Sequence, residues 1–301
     1  MAHSALVSAP RARSLTHGLQ AVADLAKVRL SSLVLVTTGA GFVLGNAGAN
    51  PRLGQMTWTL LGTALCAFGA NAYNQWVEHP WDGQMARTRG RPIPSGRLSS
   101  GAAFAWATGF VALGGLLLAG MVNLLAAVLA LSVAMLYVGT YTPLKRKSSL
   151  CTLVGAVCGA IPPMIGWVGA AGDLAPGAWV LFGILFAWQI PHFLAIDWTY
   201  RHDYAAGGFA MLSREDPSGA LNARQSLYYA LILIPISLLA VPLGVGGWLY
   251  AVGALILGLA YAAPAWGFYR TRSLPAARRL FWVSLAYLPL LLLLLTLDPT
   301  A

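Results

Sequence analysis

The fold is decided by the stretch Gly101–Met121, GAAFAWATGFVALGGLLLAGM, and its immediate successor Asn123–Pro143, NLLAAVLALSVAMLYVGTYTP. Neither contains Asp, Glu, Lys or Arg. Each has the length that a helix needs to cross a bilayer core of about 30 Å. Working outward, the same apolarity recurs near 30–47, 57–77, 151–171, 177–196, 225–245, 248–269 and 279–297. The sequence therefore predicts an all-α, polytopic integral membrane protein with nine transmembrane helices. A single membrane domain, 29–297, is expected between an N-terminal cytosolic tail, 1–28, and a short C-terminal tail, 298–301. The tail has no apolar core of the signal-peptide kind.

Composition agrees. The 301 residues are 58% hydrophobic and 9% charged, against about a quarter charged in soluble domains. That excludes a soluble enzyme, a disordered chain and a nucleic-acid-binding domain. The net charge of +10 is informative through its placement. Of the 19 Lys and Arg, all but Arg52 fall ahead of the first apolar run or in the segments after spans two, four, six and eight. By the positive-inside rule, the N-terminus and the two longest loops, 78–100 and 197–224, face the cytoplasm and the C-terminus lies outside. The expected location is a bacterial cytoplasmic membrane. Cys66, Cys151 and Cys158 sit in apolar runs without metal-ligand spacing. Gly41/Gly45 and Gly155/Gly159 are small-xxx-small pairs that allow close helix approach.

The two long loops also hold six of the nine acids, which topology does not explain. In the first, NAYNQWVEHPWDGQMARTRGRP, Asn74, Glu78 and Asp82 recur at i, i+4, i+8. On a helix they would share one face, although Pro80 is expected to kink or end it and leave Asp82 just beyond. Three oxygen-bearing side chains suit Mg²⁺, which keeps waters and shares phosphate oxygens. Arg87, Arg89 and Arg91 follow, and guanidinium groups suit phosphate. In the second, QIPHFLAIDWTYRHDYAAGGFAML, Asp197 and Arg201 form an i,i+4 pair. Asp203 could supply a second metal ligand, with Gly207-Gly208 allowing a tight turn. His192 reads either as a hydrogen-bonding helix residue or as a heme-iron or proton-transfer group. Lys145, Arg146 and Lys147 read as topology signals or as a diphosphate-capturing cluster. Pro162-Pro163 should break or kink span five.

These segments resemble the UbiA-type intramembrane prenyltransferase superfamily, and within it the heme O synthase branch. The resemblance rests on NQWVEHPWDGQMARTRGRPIPSG, YTPLKRKSSL with GAIPPMIGW, and WQIPHFLAIDWTYRHDYAAGGFAML, and spans about residues 20–297. It implies a UbiA-type nine-helix bundle and farnesyl transfer from farnesyl diphosphate to a vinyl group of heme B, the substrate. Carried over by motif, Asn74, Glu78 and Asp82 would hold Mg²⁺ on the diphosphate, and Asp203 would serve a second metal. Lys27, Arg87, Arg91, Lys145 and Arg146 would bind the diphosphate, and His192 is the heme-contacting candidate. A heme A synthase would be a downstream partner. Cys151 stands where many members carry Asn, His202 replaces a common acid, and Asp197 has no regular counterpart. The alternatives are prenylation of an aromatic quinone precursor or chlorin, a transporter, and a non-catalytic heme-assembly protein.

Overall fold

The computed structural model describes residues 15–47, 49–50, 52–85 and 88–299. All regular elements among them are helical. In chain order they are α1 (Leu15–Ala26), α2 (Val28–Gly45), α3 (Leu53–Asp82), α4 (Ser100–Met121) and α5 (Leu124–Leu136). A π-helical turn (Tyr137–Tyr141) and α6 (Thr142–Leu144) come next. They are followed by α7 (Cys151–Ala160), α8 (Pro162–Ala171), α9 (Pro176–Thr199), α10 (Arg201–Ala206) and α11 (Leu212–Glu215). The last three are α12 (Ala220–Leu238), α13 (Trp248–Thr271) and α14 (Leu274–Leu297).

Among the described residues, seven helical segments are long and apolar enough to cross a membrane, counting α5 through α6 as one and α7 with α8 as one. The chain is an integral membrane protein. The other two expected spans fall on α3 and α12. Asn71, Asn74, Gln75 and Glu78 dilute the apolar character of α3, and Asn222, Arg224, Gln225 and Ser226 that of α12. Length and apolarity thus mark seven of the nine expected spans among the described residues. Large apolar side chains such as Leu116, Met135, Trp248 and Trp282 are exposed, as lipid-facing positions should be.

Small residues set the closest helix contact. A Cβ on Gly166 of α8 would overlap the Thr38 carbonyl of α2, and one on Gly41 would overlap that of Pro163. The Gly41/Gly45 pair therefore brings two backbones together, the arrangement that small-xxx-small spacing permits. Gly155 and Gly159 instead receive side chains, those of Tyr141 and Gln189. The Pro162-Pro163 pair divides span five into α7 and α8, because two consecutive backbone N–H donors are missing. The largest core joins α9, α12, α13 and α14 through Leu181, Ile184, Leu233, Tyr261, Leu280 and Leu291. Helix α14 packs on α9 and also on α2.

Candidate active site

Helix α3 runs through Pro80 and ends at Asp82, so Asp82 is on the helix and not beyond it. Proline at position 80 frees the Trp76 carbonyl four residues back. The His79 ring satisfies it, with Nδ1 at 2.6 Å. A carbonyl can only accept, so that nitrogen carries the proton. The helix survives its proline by this local repair. Asn74, Glu78 and Asp82 then share one buried face.

Each of the three is met by a cation. The Arg91 Nη1 donates to Glu78 Oε2 at 3.0 Å and to both Asp82 oxygens at 2.8 and 2.7 Å. Lys145 Nζ lies 3.4 Å from Glu78 Oε1. Lys27 Nζ donates to Asn74 Oδ1 at 3.0 Å. Thus Lys27, Asn74, Glu78, Asp82, Arg91 and Lys145, separated by up to 118 positions in sequence, gather in one cluster.

Backbone features aim these groups. Lys27 sits between α1 and α2 with φ of 48°, a left-handed conformation that is uncommon for a side chain other than Gly, Asn or Asp. Burial, followed by the neighbouring charge of Arg91, pushes its amine down to about 7. Helix α1 lies within the expected N-terminal tail and is held to α3 by Gln75, whose Nε2 donates to the Asp24 and Leu25 carbonyls. The Asn74 amide donates to Thr142 Oγ1 at 3.1 Å, and that hydroxyl donates to the Tyr137 carbonyl at 2.7 Å. Thr142 therefore couples the acid face to the π-helical turn, a local widening often found at functional sites.

The second long loop supplies the roof. Gly208 adopts φ of 70°, and α10 ends there with Phe209 N–H bonded to Tyr204 O and Gly208 N–H to Ala205 O. Those paired bonds are a left-handed helix cap that favours glycine. The loop is then pinned over the basic cluster. Ala210 N–H donates to the Lys145 carbonyl, and the Arg146 guanidinium donates to the Gly207 carbonyl at 3.3 Å. Phe209 covers Lys145 at 4.3 Å, and Trp81 covers Arg146 at the same distance. Cation–π contact of this kind holds a charge in place without neutralising it.

Other expected residues lie elsewhere. Asp203 is exposed on α10 and its carboxylate has no hydrogen-bond partner among the described residues. Among those residues no three His, Cys, Asp or Glu gather as a metal cluster. Arg87 lies outside the described residues. The expected Asp197–Arg201 pair does not form. Arg201 donates to the Trp198 carbonyl and covers the Trp198 ring, while Asp197 is buried among Ser213 and Asn222. His192 is on α9 facing α14. Thr142, Phe209 and Trp81 escaped the sequence reading. Only their positions inside the quoted motifs, one of them directly after Gly-Gly, could have marked them.

The donor set fits a hard cation. Two carboxylates and an amide oxygen on one helix face leave most coordination positions for water and phosphate oxygens, and three to four cations stand beside them for the remaining anionic charge.

Comparison with known proteins agrees with this geometry. The UbiA prenyltransferase family matches residues 34–288. A protoheme IX farnesyltransferase of Solibacter usitatus is 43% identical over 91% of this chain and 97% of its own length. The mitochondrial protoheme IX farnesyltransferase of Arabidopsis thaliana is 43% identical over 88% of this chain, which spans only 62% of that longer protein. In fold, a digeranylgeranylglyceryl phosphate synthase structure superposes with a TM-score of 0.79 at 15% identity, covering 93% of this chain and 98% of the other. A UbiA homolog from Archaeoglobus fulgidus bound to GPP and Mg²⁺ superposes at 0.64 and 13% identity, covering 91% and 99%. The chain belongs to the UbiA prenyltransferase family, and prenyl transfer is its class of reaction.

Proposed function

We propose that this protein transfers a farnesyl group from farnesyl diphosphate to a vinyl group of heme B, giving heme O. The observation that carries the reading is the convergence of Lys27, Arg91 and Lys145 on the Asn74–Glu78–Asp82 face. The heme specificity rests on relatives at 43% identity that are protoheme IX farnesyltransferases.

Asn74, Glu78 and Asp82 would hold Mg²⁺, with Asp203 serving a second ion from the α10 side. Bound there, Mg²⁺ would supply charge neutralisation to the diphosphate. Arg91 and Lys145 bind diphosphate oxygens, Lys27 and Arg146 flank them, and Arg87 joins from the first loop. The allylic C–O bond breaks and its electron pair leaves with the diphosphate, which these cations stabilise. The vinyl π pair then forms the new C–C bond. Water captures the resulting cation and loses a proton, leaving a hydroxyl. The apolar helices and the Phe209 roof keep water from the allylic cation before that step. The basic segments support an N-terminus and a site at the cytoplasmic face of a bacterial membrane, with the C-terminus outside. A heme A synthase is the expected consumer of the product.

The test is product mass. Purified full-length protein in lipid nanodiscs, given heme B, farnesyl diphosphate and Mg²⁺, should yield a heme heavier by a farnesyl group and a hydroxyl. Unchanged heme, with prenylated product when hydroxybenzoate is supplied in its place, would overturn the assignment.

A further inference from the structure

The Asn74 amide has two chemically different ends, and only one can serve a cation. Its oxygen is a ligand for a hard ion, whereas its NH₂ group only donates. Which end faces the cluster is decided from the far side, by Thr142. The Thr142 hydroxyl lies 2.7 Å from the Tyr137 carbonyl oxygen. A carbonyl only accepts, so the single hydroxyl proton points there. Thr142 Oγ1 must then accept from Asn74 Nδ2 at 3.1 Å. Asn74 Oδ1 is thereby turned the other way, where Lys27 Nζ donates to it at 3.0 Å. Rotating the amide by half a turn would set Nδ2 against an ammonium, and Oδ1 against a hydroxyl with no proton left to give. Asn74 and Thr142 are each 2% exposed, so bulk water does not compete for the bond between them.

The hydroxyl reaches that carbonyl because the helix is locally widened. A Ser or Thr inside an α-helix ordinarily bonds back three or four residues. Thr142 bonds back five, to the carbonyl that its own N–H also meets at the end of the π-helical turn. The sequence accounts for the widening. Pro143 has no N–H for the Gly139 carbonyl four residues back, and its ring crowds that carbonyl. The turn ahead of it opens, and Tyr137 stacks on Tyr141 across it, with centroids 5.0 Å apart and planes at 12°. Thr-Pro at 142–143 thus sets both the hydroxyl and its reach.

Two partners hold the amide, and they answer differently to a cation. A divalent ion at Oδ1 repels the Lys27 ammonium, and the two seek the same oxygen. Thr142 approaches from the NH₂ end and is compatible with either. We propose that Thr142 is a positioning residue for the cation that accompanies the diphosphate, keeping the Asn74 oxygen presented when Lys27 gives way. This rests on the reading above in which Asn74 ligates that cation, and adds the residue that orients the ligand. Groups that stand behind a metal ligand in this way govern affinity by about 10–100-fold.

The experiment titrates Mn²⁺, which takes the same oxygen ligands as Mg²⁺. Full-length protein in nanodiscs carries the unreactive analogue farnesyl thiodiphosphate, and free Mn²⁺ is read by electron paramagnetic resonance. Thr142→Val keeps the shape and the branch at Cβ but cannot accept from Asn74. It should weaken Mn²⁺ binding about 10-fold, and Thr142→Ser should restore it to within about twofold. Repeating the change beside Asn74→Asp separates orientation from damage to the fold. A carboxylate has no wrong end, so there Thr142→Val should alter Mn²⁺ affinity by less than about twofold. Thr142→Ala replaces the valine variant if that one does not elute as a single species. Wild-type Mn²⁺ affinity in Thr142→Val, or equal losses with and without Asn74→Asp, overturns the inference. Asn74→Ala distinguishes the two levels. If it binds Mn²⁺ as the wild type does, the ligand reading falls with this inference; if it loses the ion while Thr142→Val does not, this inference falls alone.

Discussion

Two buried carboxylates, Asp82 at the end of α3 and Asp197 at the end of α9, sit at corresponding places in the two long loops and have opposite partners. Asp82 is held by a full charge, with Arg91 Nη1 within 2.8 Å of both its oxygens. Asp197 is held by neutral donors: Ser213 N–H at 2.9 Å, Ser213 Oγ at 2.5 Å and Asn222 Nδ2 at 2.8 Å. A carboxylate paired with cationic side chains can exchange them for another cation, because the partners are themselves able to bind the anion that arrives with it. A carboxylate closed by three donors from its own fold ties α9 to α11 and α12 and has nothing to exchange. The difference teaches that two equally buried acids of membrane-interface loops can be told apart by the charge of their partners, and not by burial.

The sharpest way to break this comparison is one substitution at both places. Asp82→Asn removes the charge that a cation and Arg91 require. Turnover should fall on the order of 10²–10³-fold, the usual cost of removing one preorganised electrostatic group, and the protein should still elute as a folded species. Asp197→Asn should leave turnover within a few-fold of wild type. Its oxygen can still accept from Ser213 N–H and Asn222, while Ser213 Oγ turns to accept from the new amide. Farnesyl transfer measured for both variants checks this. Equal losses at the two positions would erase the distinction.

A smaller effect separates charge from shape. Arg91→Lys keeps the positive charge but not the planar group that reaches Glu78 and Asp82 together. We expect the KM for farnesyl diphosphate to rise about 10–100-fold, corresponding to about 1.5–3 kcal/mol for a charge-assisted hydrogen bond. Steady-state kinetics at saturating heme tests it, and an unchanged KM would show that Arg91 serves only to neutralise α3. On the other side of the comparison, Asp197→Ala leaves three buried donors unmet. It should cost about 1–3 kcal/mol of stability for each donor that water cannot reach, read as a lower melting temperature in detergent with Asp197→Asn close to wild type.

The sequence made the first region more legible than the second. The i, i+4, i+8 spacing of Asn74, Glu78 and Asp82 is a helix-face statement, and it survived because His79 repairs the gap left by Pro80, a bond that no spacing rule reports. Arg91, Lys145 and Lys27 were readable as phosphate-binding residue types, but their meeting depends on how α2, α3 and α6 pack. In the second region three of the four acids are taken up by hydrogen bonds of the fold. Asp197 closes on Ser213 and Asn222, Glu215 accepts from Ser149 N–H, and Asp216 accepts from Ser218 and Leu221. The Ser218 hydroxyl, then the Leu221 N–H, hold Asp216 below the usual carboxylate range. Such staples involve partners up to 66 residues away, so composition cannot tell them from ligands. Counting spans met a similar limit, since the helices that carry polar site and staple residues, α3 and α12, are the ones that apolarity alone does not mark.

The smallest effect expected is at the turn joining the two regions. Gly208 has φ of 70°, and a Cβ there would approach the Arg146 guanidinium at 3.3 Å. Gly208→Ala therefore meets a backbone penalty of about 1 kcal/mol, with a contact that the flexible end of Arg146 can relieve by shifting. The shift has a direction. Arg146 is held by the Gly207 carbonyl and by the Trp81 face, so displacing it loosens the roof from the basic cluster while leaving the Asn74–Glu78–Asp82 face intact. The KM for farnesyl diphosphate should rise about two- to fivefold, within the reach of a penalty of about 1 kcal/mol, with little change in kcat. A loss in kcat larger than the change in KM would mean that the second loop takes part in bond breaking as directly as the first. The contrast between a chemical region and a structural one would then have to be redrawn around Asp203.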